Sequence, residues 1–378
     1  MTQLPPALVE IPDIPSGVLP REAWQDRLLT QIGSALDSTA LQAARLAIDA
    51  FLMPRPEELP AMLETAAQFL SGGLRDDPRS YLALAAEAGA SGPRTHTQRR
   101  RRSLPGGTVY SRRFGIDLQP AANPVAGGKA AKHDQIHIEH WIHHGHQPRP
   151  TALALHGFGM GNPRIDAVAI FANEIFRHGC DVALMTLPYH AARKPPGARF
   201  SGQHFTSVDI GQLNQAVRRS VYEICAVENW LRVEHSGPVG MIGLSLGGYI
   251  SALMAGILPQ LDFVIPIVPP VCIGDLAWRF LQRSHYHPTG SQAETLLDSL
   301  RTAYRVHSPL TYPAVVAKER LLILAGRGDQ IVPPEHPYAL WLHWNQPDIE
   351  WFSGSHLAPF HRRHLAARIV GHIERCVG

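Results

Sequence analysis

Val239-Gly-Met-Ile-Gly243-Leu244-Ser245-Leu246-Gly247-Gly248-Tyr249 is the stretch that decides how this chain folds. Its first residues are a short apolar run, read as a buried strand, and Tyr249 to Ile257 reads as a helix. Between them lies a sharp turn with Ser245 at its apex and glycine on both sides. A Cβ at either flanking position would strike the neighbouring strand or helix, so only glycine fits. The helix behind the turn directs its free amide N–H groups toward the serine hydroxyl, where they favour negative charge. The motif Gly-x-Ser-x-Gly is short, and its weight rests on what the rest of the chain supplies.

Three further segments follow the same design. Upstream, the apolar strand Thr151-Ala-Leu-Ala-Leu155 runs into His156-Gly157-Phe158-Gly159. Downstream, Leu321-Leu-Ile-Leu-Ala325 runs into Gly326-Arg327-Gly328-Asp329, and the strand-like Ile349-Glu-Trp-Phe352 runs into Gly354-Ser355-His356. A serine, an aspartate and a histidine thus arrive in that order, each at the carboxyl end of a strand. The intervals leave room for two strands and an insertion, and then for one helix and one strand.

These four matches resemble the α/β-hydrolase superfamily on its esterase and lipase side, over roughly Ile136 to the C-terminus. The resemblance implies Ser245 as nucleophile, His356 as general base, Asp329 as the acid that orients it, and the backbone N–H groups of Leu246 and Phe158 as oxyanion-hole donors. It also implies a cap over residues 272–313, where Trp278 and Phe280 become candidates for shaping the acyl pocket. Tyr189 to Lys194 resembles a loop of a little-characterised branch of the superfamily, which adds Tyr189 to the candidate substrate contacts. No metal or organic cofactor enters the implied chemistry.

A serine hydroxyl is a poor nucleophile at neutral pH unless a base takes its proton, and an imidazole titrating near pH 6.5 suits that task. Rival readings exist for each residue. Asp329 could cap a helix before Pro333-Pro334, and Asp275 is a rival acid just past the preceding strand. His156 reads as a brace for its turn. Arg193 and Lys194 follow a strand end and could meet an anionic group, or belong to a solvated loop. His133, His137, His140, His143, His144 and His146 invite a metal reading, with His137, Glu139 and His143 on one strand face. Their spacing matches no familiar ligand pattern, so no metal site is expected.

The bulk properties set limits. The chain has 378 residues, 45% of them hydrophobic, and a formal charge of +3, so no global field argues for a nucleic-acid partner. Cys180, Cys225, Cys272 and Cys376 are scattered, which favours free thiols in a reducing, cytoplasmic setting. The first ten residues lack a signal-peptide pattern, and no stretch approaches the ~20 apolar residues of a spanning helix.

The expected architecture is α/β: a mostly parallel central sheet with helices on both faces, a helical cap insertion and an N-terminal helical extension. The extension is assigned residues 1–105 and the catalytic domain 106–378, with the cap at 272–313. In the extension, Leu28, Ile32 and Leu36 recur every four residues, which predicts a helix packing on the body or forming an oligomer surface. No catalytic signature appears there. Arg94 and Arg99 to Arg102 read as a solvated loop, as do residues 116–134. Strands are expected near 136–142, 151–155, 181–187, 238–244, 263–268, 321–325 and 348–352.

The function this implies is hydrolysis of a small-molecule or lipid-like carboxylic ester through an acyl-enzyme. The competing readings are a serine peptidase of the oligopeptidase type, disfavoured because no propeller-like repeats precede Ile136, and a catalytically inactive binding module of the same fold.

Overall fold

Alternating runs of β-branched or aliphatic residues and amphipathic helices build one sheet, seen in a computed structural model that describes residues 10–51, 58–70, 73–92, 95–115, 135–145, 147–205, 210–283 and 289–378. The described strands are β1 (Thr95–Leu104), β2 (Gly107–Gly115), β3 (Ile136–His143), β4 (Thr151–Leu155), β5 (Asp181–Thr186), β6 (Val239–Leu244), β7 (Val264–Ile267), β8 (Leu322–Gly326) and β9 (Asp348–Phe352). The helices are α1 (Trp24–Phe51), α2 (Leu59–Leu70), α3 (Gly73–Asp76), α4 (Ser80–Gly89), α5 (Pro163–Ala169) and α6 (Ala172–Arg177). They continue with α7 (Ile210–His235), α8 (Leu246–Ala255), α9 (Ile273–Arg283), α10 (Gly290–Tyr304), α11 (Glu335–His343) and α12 (Arg362–Val377).

The strand order is β1-β2-β3-β5-β4-β6-β7-β8-β9. β1, β2, β3 and β5 pair antiparallel, and every pair from β5 through β4 to β9 is parallel. The period of two along each strand decides the layers. Leu153 and Leu155 of β4 face a core shared with α7, α8 and α11, whereas Ala152 and Ala154 face one shared with α5, α6 and α12. Because both faces are covered, the central strands read as unbroken apolar runs, which is why their positions were legible.

The first two strands were not. The sheet begins at Thr95 rather than at Ile136, and Arg99 to Arg102 lie in β1 instead of a loop. β1 is the open edge of the sheet, so it needs no apolar alternation, and its exposed arginines discourage pairing with another chain. Arg102 stacks over Trp141 at 4.9 Å. The division expected after residue 105 therefore falls in the turn between β1 and β2. Arg94 and residues 116–134 lie outside the described residues.

The helical lead-in packs on the body in three places. α2 lies against α10. α4 lies against α7, so closely that a Cβ on Gly89 would meet the Tyr222 carbonyl oxygen at 2.4 Å. The third contact is α1, and it does not use the apolar stripe. Leu28, Ile32 and Leu36 are 49%, 43% and 50% exposed, and Trp24 continues the exposed stripe. Asp26, Thr30, Gly33, Ser34 and Asp37, on roughly the opposite side at 100° per residue, meet the loops after β8 and β9.

Candidate active site

The turn after β6 has the tightness its glycines imply. A Cβ on Gly243 would lie 2.1 Å from the Gly247 carbonyl oxygen, and one on Gly247 would lie 2.2 Å from that of Leu155. Ser245 sits at φ 54°, ψ −112°, a strained conformation for a residue with a side chain, held by its N–H donating to Ile267 O at 2.9 Å. Such strain persists only where the surroundings over-determine it, here the meeting of β6, α8 and the turn after β4.

The loops after β8 and β9 bring the other two groups to Ser245. The Ser245 hydroxyl donates to His356 Nε2 at 2.9 Å, and His356 Nδ1 donates to Asp329 Oδ2 at 2.7 Å. This pairing assigns the tautomer, because a ring nitrogen facing a carboxylate must carry the proton. Asp329 is buried, and its second oxygen accepts from Ile331 N (2.9 Å) and Val332 N (2.7 Å). Asp329 does not cap the helix that follows, since the N-cap of α11 is Pro334; one of its oxygens closes its own turn and the other meets the histidine. Asp275, the rival acid, is spent elsewhere in an ion pair with Arg301 at 2.6 Å.

Burial works against the charged form of His356. The charge and hydrogen bond of Asp329 and the charge of Asp37 outweigh it, so the imidazole is held above its usual 6.5. That direction suits a group that must carry a proton midway through a reaction.

Leu246 is the first residue of α8, so its N–H is one of the helix's unpaired amino-terminal groups, directly beside Ser245. Phe158 belongs to the turn after β4, which closes on the elbow: a Cβ on Gly157 would lie 3.5 Å from the Ser245 Cβ. His156 braces that turn. Its Nδ1 donates to Gly157 O at 2.8 Å while Nε2 accepts from Leu187 N at 3.0 Å, and burial lowers its pKa to about 4.

The expected substrate contacts do not all converge. Trp278 packs against the main core, and Phe280, two residues on, points about 200° away around α9. Tyr189, at φ 63°, lies under the Arg219 guanidinium at 5.5 Å. Arg193 is not free to bind an anion. It is fully buried, paired through both terminal nitrogens with Glu223 at 2.6 Å and donating to Thr186 O. Lys194 donates to Ala198 O.

Among the described histidines of β3, the group does not assemble a metal centre. His143 pairs with Asp181, His144 meets the Thr108 hydroxyl, and His140 is buried against Trp230 and His235. No cluster of three or more potential ligands occurs among the described residues. His133 and His146 lie outside them.

The element order, the serine elbow and the position of each loop at a strand's carboxyl end are those of one known architecture. This is the α/β-hydrolase fold. The family model "Alpha/beta hydrolase domain containing 18" matches residues 130–274, a span that holds the elbow and the turn after β4 but ends before Asp329 and His356. Two uncharacterized proteins of Mycobacterium tuberculosis, from strains CDC 1551 / Oshkosh and ATCC 25618 / H37Rv, are each 30% identical over 238 residues. The match takes in 61% of this chain, which spans only 55% of the length of those relatives. Among solved structures, acetyl xylan esterase 1 from Thermoanaerobacterium sp. JW/SL YS485 superposes with a TM-score of 0.57 at 16% identity. That superposition covers 86% of this hydrolase-fold chain and 99% of the esterase. An acetyl xylan esterase from Paenibacillus sp. R4 gives 0.54 at 15% identity, covering 84% and 99%. At these identities the likeness establishes the fold.

One group at this candidate site carried no sequence signal. Asp37 of α1 is completely buried. Its Oδ1 accepts from the Ser355 hydroxyl (2.8 Å) and Leu357 N (3.0 Å), and its Oδ2 accepts from Gln330 N and His356 N (both 3.0 Å). More than 290 residues of chain separate it from these partners, and no local motif could announce it.

Proposed function

We propose that this protein is a serine hydrolase that cleaves carboxylic esters of small molecules through an acyl-enzyme. The observation that carries this reading is the unbroken hydrogen-bond path from Ser245 through His356 to Asp329 on one rim of the sheet. Ser245 Oγ attacks the ester carbonyl as His356 Nε2 takes its proton. Asp329 keeps the ring in the required tautomer and stabilises the imidazolium. The N–H groups of Leu246 and Phe158 receive the developing oxyanion, each worth roughly 3 kcal/mol in such a site. His356 then protonates the departing alcohol. In the second half a water gives its proton to His356 and attacks the acyl carbonyl, releasing the acid and restoring Ser245. No cofactor is required for any of these steps.

Tyr189 and α9 are proposed to border the acyl pocket, with Trp278 and Phe280 leaving that helix on different sides. The four cysteines are unpaired, three of them buried, which suits a cytoplasmic protein. No described helix is long and apolar enough to cross a membrane. The test is hydrolysis of p-nitrophenyl acetate together with labelling by a fluorophosphonate probe. Both are expected for the wild-type chain and neither for Ser245→Ala. Equal turnover by the two proteins, or no labelling of Ser245, ends the reading, the second result in favour of an inactive binding module.

A further inference from the structure

The N-terminal helix supplies more than packing. We propose that Asp37 of α1 is a positioning residue of the active site, whose carboxylate joins the Asp329 and His356 loops and sets a second negative charge against the His356 backbone. The inference rests on the serine-hydrolase reading above and deepens it.

Four donors converge on Asp37, from Gln330, Ser355, His356 and Leu357, two on each carboxylate oxygen. An ionised carboxylate is acceptor-only and can satisfy all four, so a fully buried anion is tolerated here. An amide could not: its single oxygen accepts at most two, and its NH₂ would face donors. Gln330 directly follows Asp329, and Ser355 and Leu357 flank His356, so one side chain fixes the backbone on both sides of the Asp329–His356 hydrogen bond. The loops after β8 and β9 are otherwise joined chiefly by Arg327 N donating to Phe352 O and Gly328 N to Gly354 O.

The rest of α1 is built to bring Asp37 this close. A Cβ on Gly33 would stand 2.9 Å from Gly354 C and Ser355 N, so only glycine lets the helix touch that loop. The Ser34 hydroxyl donates to Gly328 O at 2.7 Å, and Asp26 meets His361 Nε2 at 3.0 Å. Arg327 reaches back to Pro20 O and Glu22. Helix and loops thus form one hydrogen-bonded unit. The charge has its own consequence. When Ser245 loses its proton, His356 becomes cationic, and a carboxylate bonded to its backbone N–H favours that form as Asp329 does from the ring side.

Full-length wild type, Ser245→Ala, Asp37→Asn and Ser355→Ala are compared in p-nitrophenyl acetate hydrolysis from pH 5 to 9, with circular dichroism to confirm folding. Asp37→Asn is expected to lose ~10²-fold in kcat with KM little changed, the scale of a catalytic group displaced by about 1 Å. Its acid limb should also move to lower pH, because the imidazole has lost a neighbour favouring its charged form. Ser355→Ala keeps the charge and loses one hydrogen bond. It should drop several-fold in kcat with the acid limb in place. Wild-type kcat in Asp37→Asn overturns the proposal, and so does a fall in kcat with an unmoved limb, which would leave Asp37 a structural brace. If Asp37→Asn does not fold, Ser355→Ala decides, and wild-type kcat there overturns it. Wild-type activity that survives Ser245→Ala instead sinks the underlying reading, a result separate from any of these.

Discussion

The elbow and the N-terminal helix both press on His356, yet they reach it by opposite routes. At the elbow, everything needed lies within eleven consecutive residues: an apolar strand, two glycines, a serine and a helix. At α1 the residues that matter, Gly33, Ser34 and Asp37, carry no motif and act on loops about three hundred positions away. The elbow also obeys the rule that apolar residues mark the packed face. α1 inverts it, with Leu28, Ile32 and Leu36 in solvent and its polar side against the protein. The lesson is physical. Apolar periodicity locates a buried face only when burial is the main interaction there. A face that closes on exposed loop backbone must supply acceptors and clearance instead.

The largest expected effect is on the chemistry itself: His356→Ala should lower ester turnover by ~10⁴-fold or more while leaving the thermal transition near its wild-type position. The two glycines come next. Gly247→Ala drives a Cβ into the Leu155 carbonyl between a strand and a helix that cannot separate, so its stability loss in urea should exceed the ~1–3 kcal/mol usual for overpacking. Gly33→Ala meets backbone too, but α1 can slide outward. Its urea midpoint should fall by about 1 kcal/mol or less in stability, while kcat falls several-fold as the His356 loop loosens. Equal behaviour of the two glycine variants would erase the distinction between a locked turn and a docked helix.

Electrostatics give a smaller, signed test. The proposed mechanism needs neutral His356, and its pKa is raised by Asp329 and Asp37 against the pull of burial. The acid limb of kcat/KM should therefore lie above 6.5, with activity lost as pH falls through it. A limb below 6.5 would mean that burial dominates and that neither carboxylate acts as described. The smallest effect belongs to the exposed stripe. Replacing Leu28, Ile32 and Leu36 singly by serine should each change stability by no more than about 0.5 kcal/mol. Losses of about 2 kcal/mol or more, the range for buried leucines, would show that this face is covered in solution.

The central strands, the order Ser245, Asp329, His356 and the place of each at a strand's carboxyl end were all legible in the residues alone. They were so because a doubly covered strand must be apolar throughout, and because a tight elbow admits only glycine beside its serine. The folded arrangement alone shows that Arg99 to Arg102 form an edge strand, that Arg193 is consumed by Glu223, that Asp275 serves Arg301, and that Asp37 bonds the loops carrying Asp329 and His356. Edge strands, buried ion pairs and long-range hydrogen bonds have no fixed spacing along a chain. Their partners are chosen by where the folded sheet brings distant loops together, and that choice leaves no periodic trace to read.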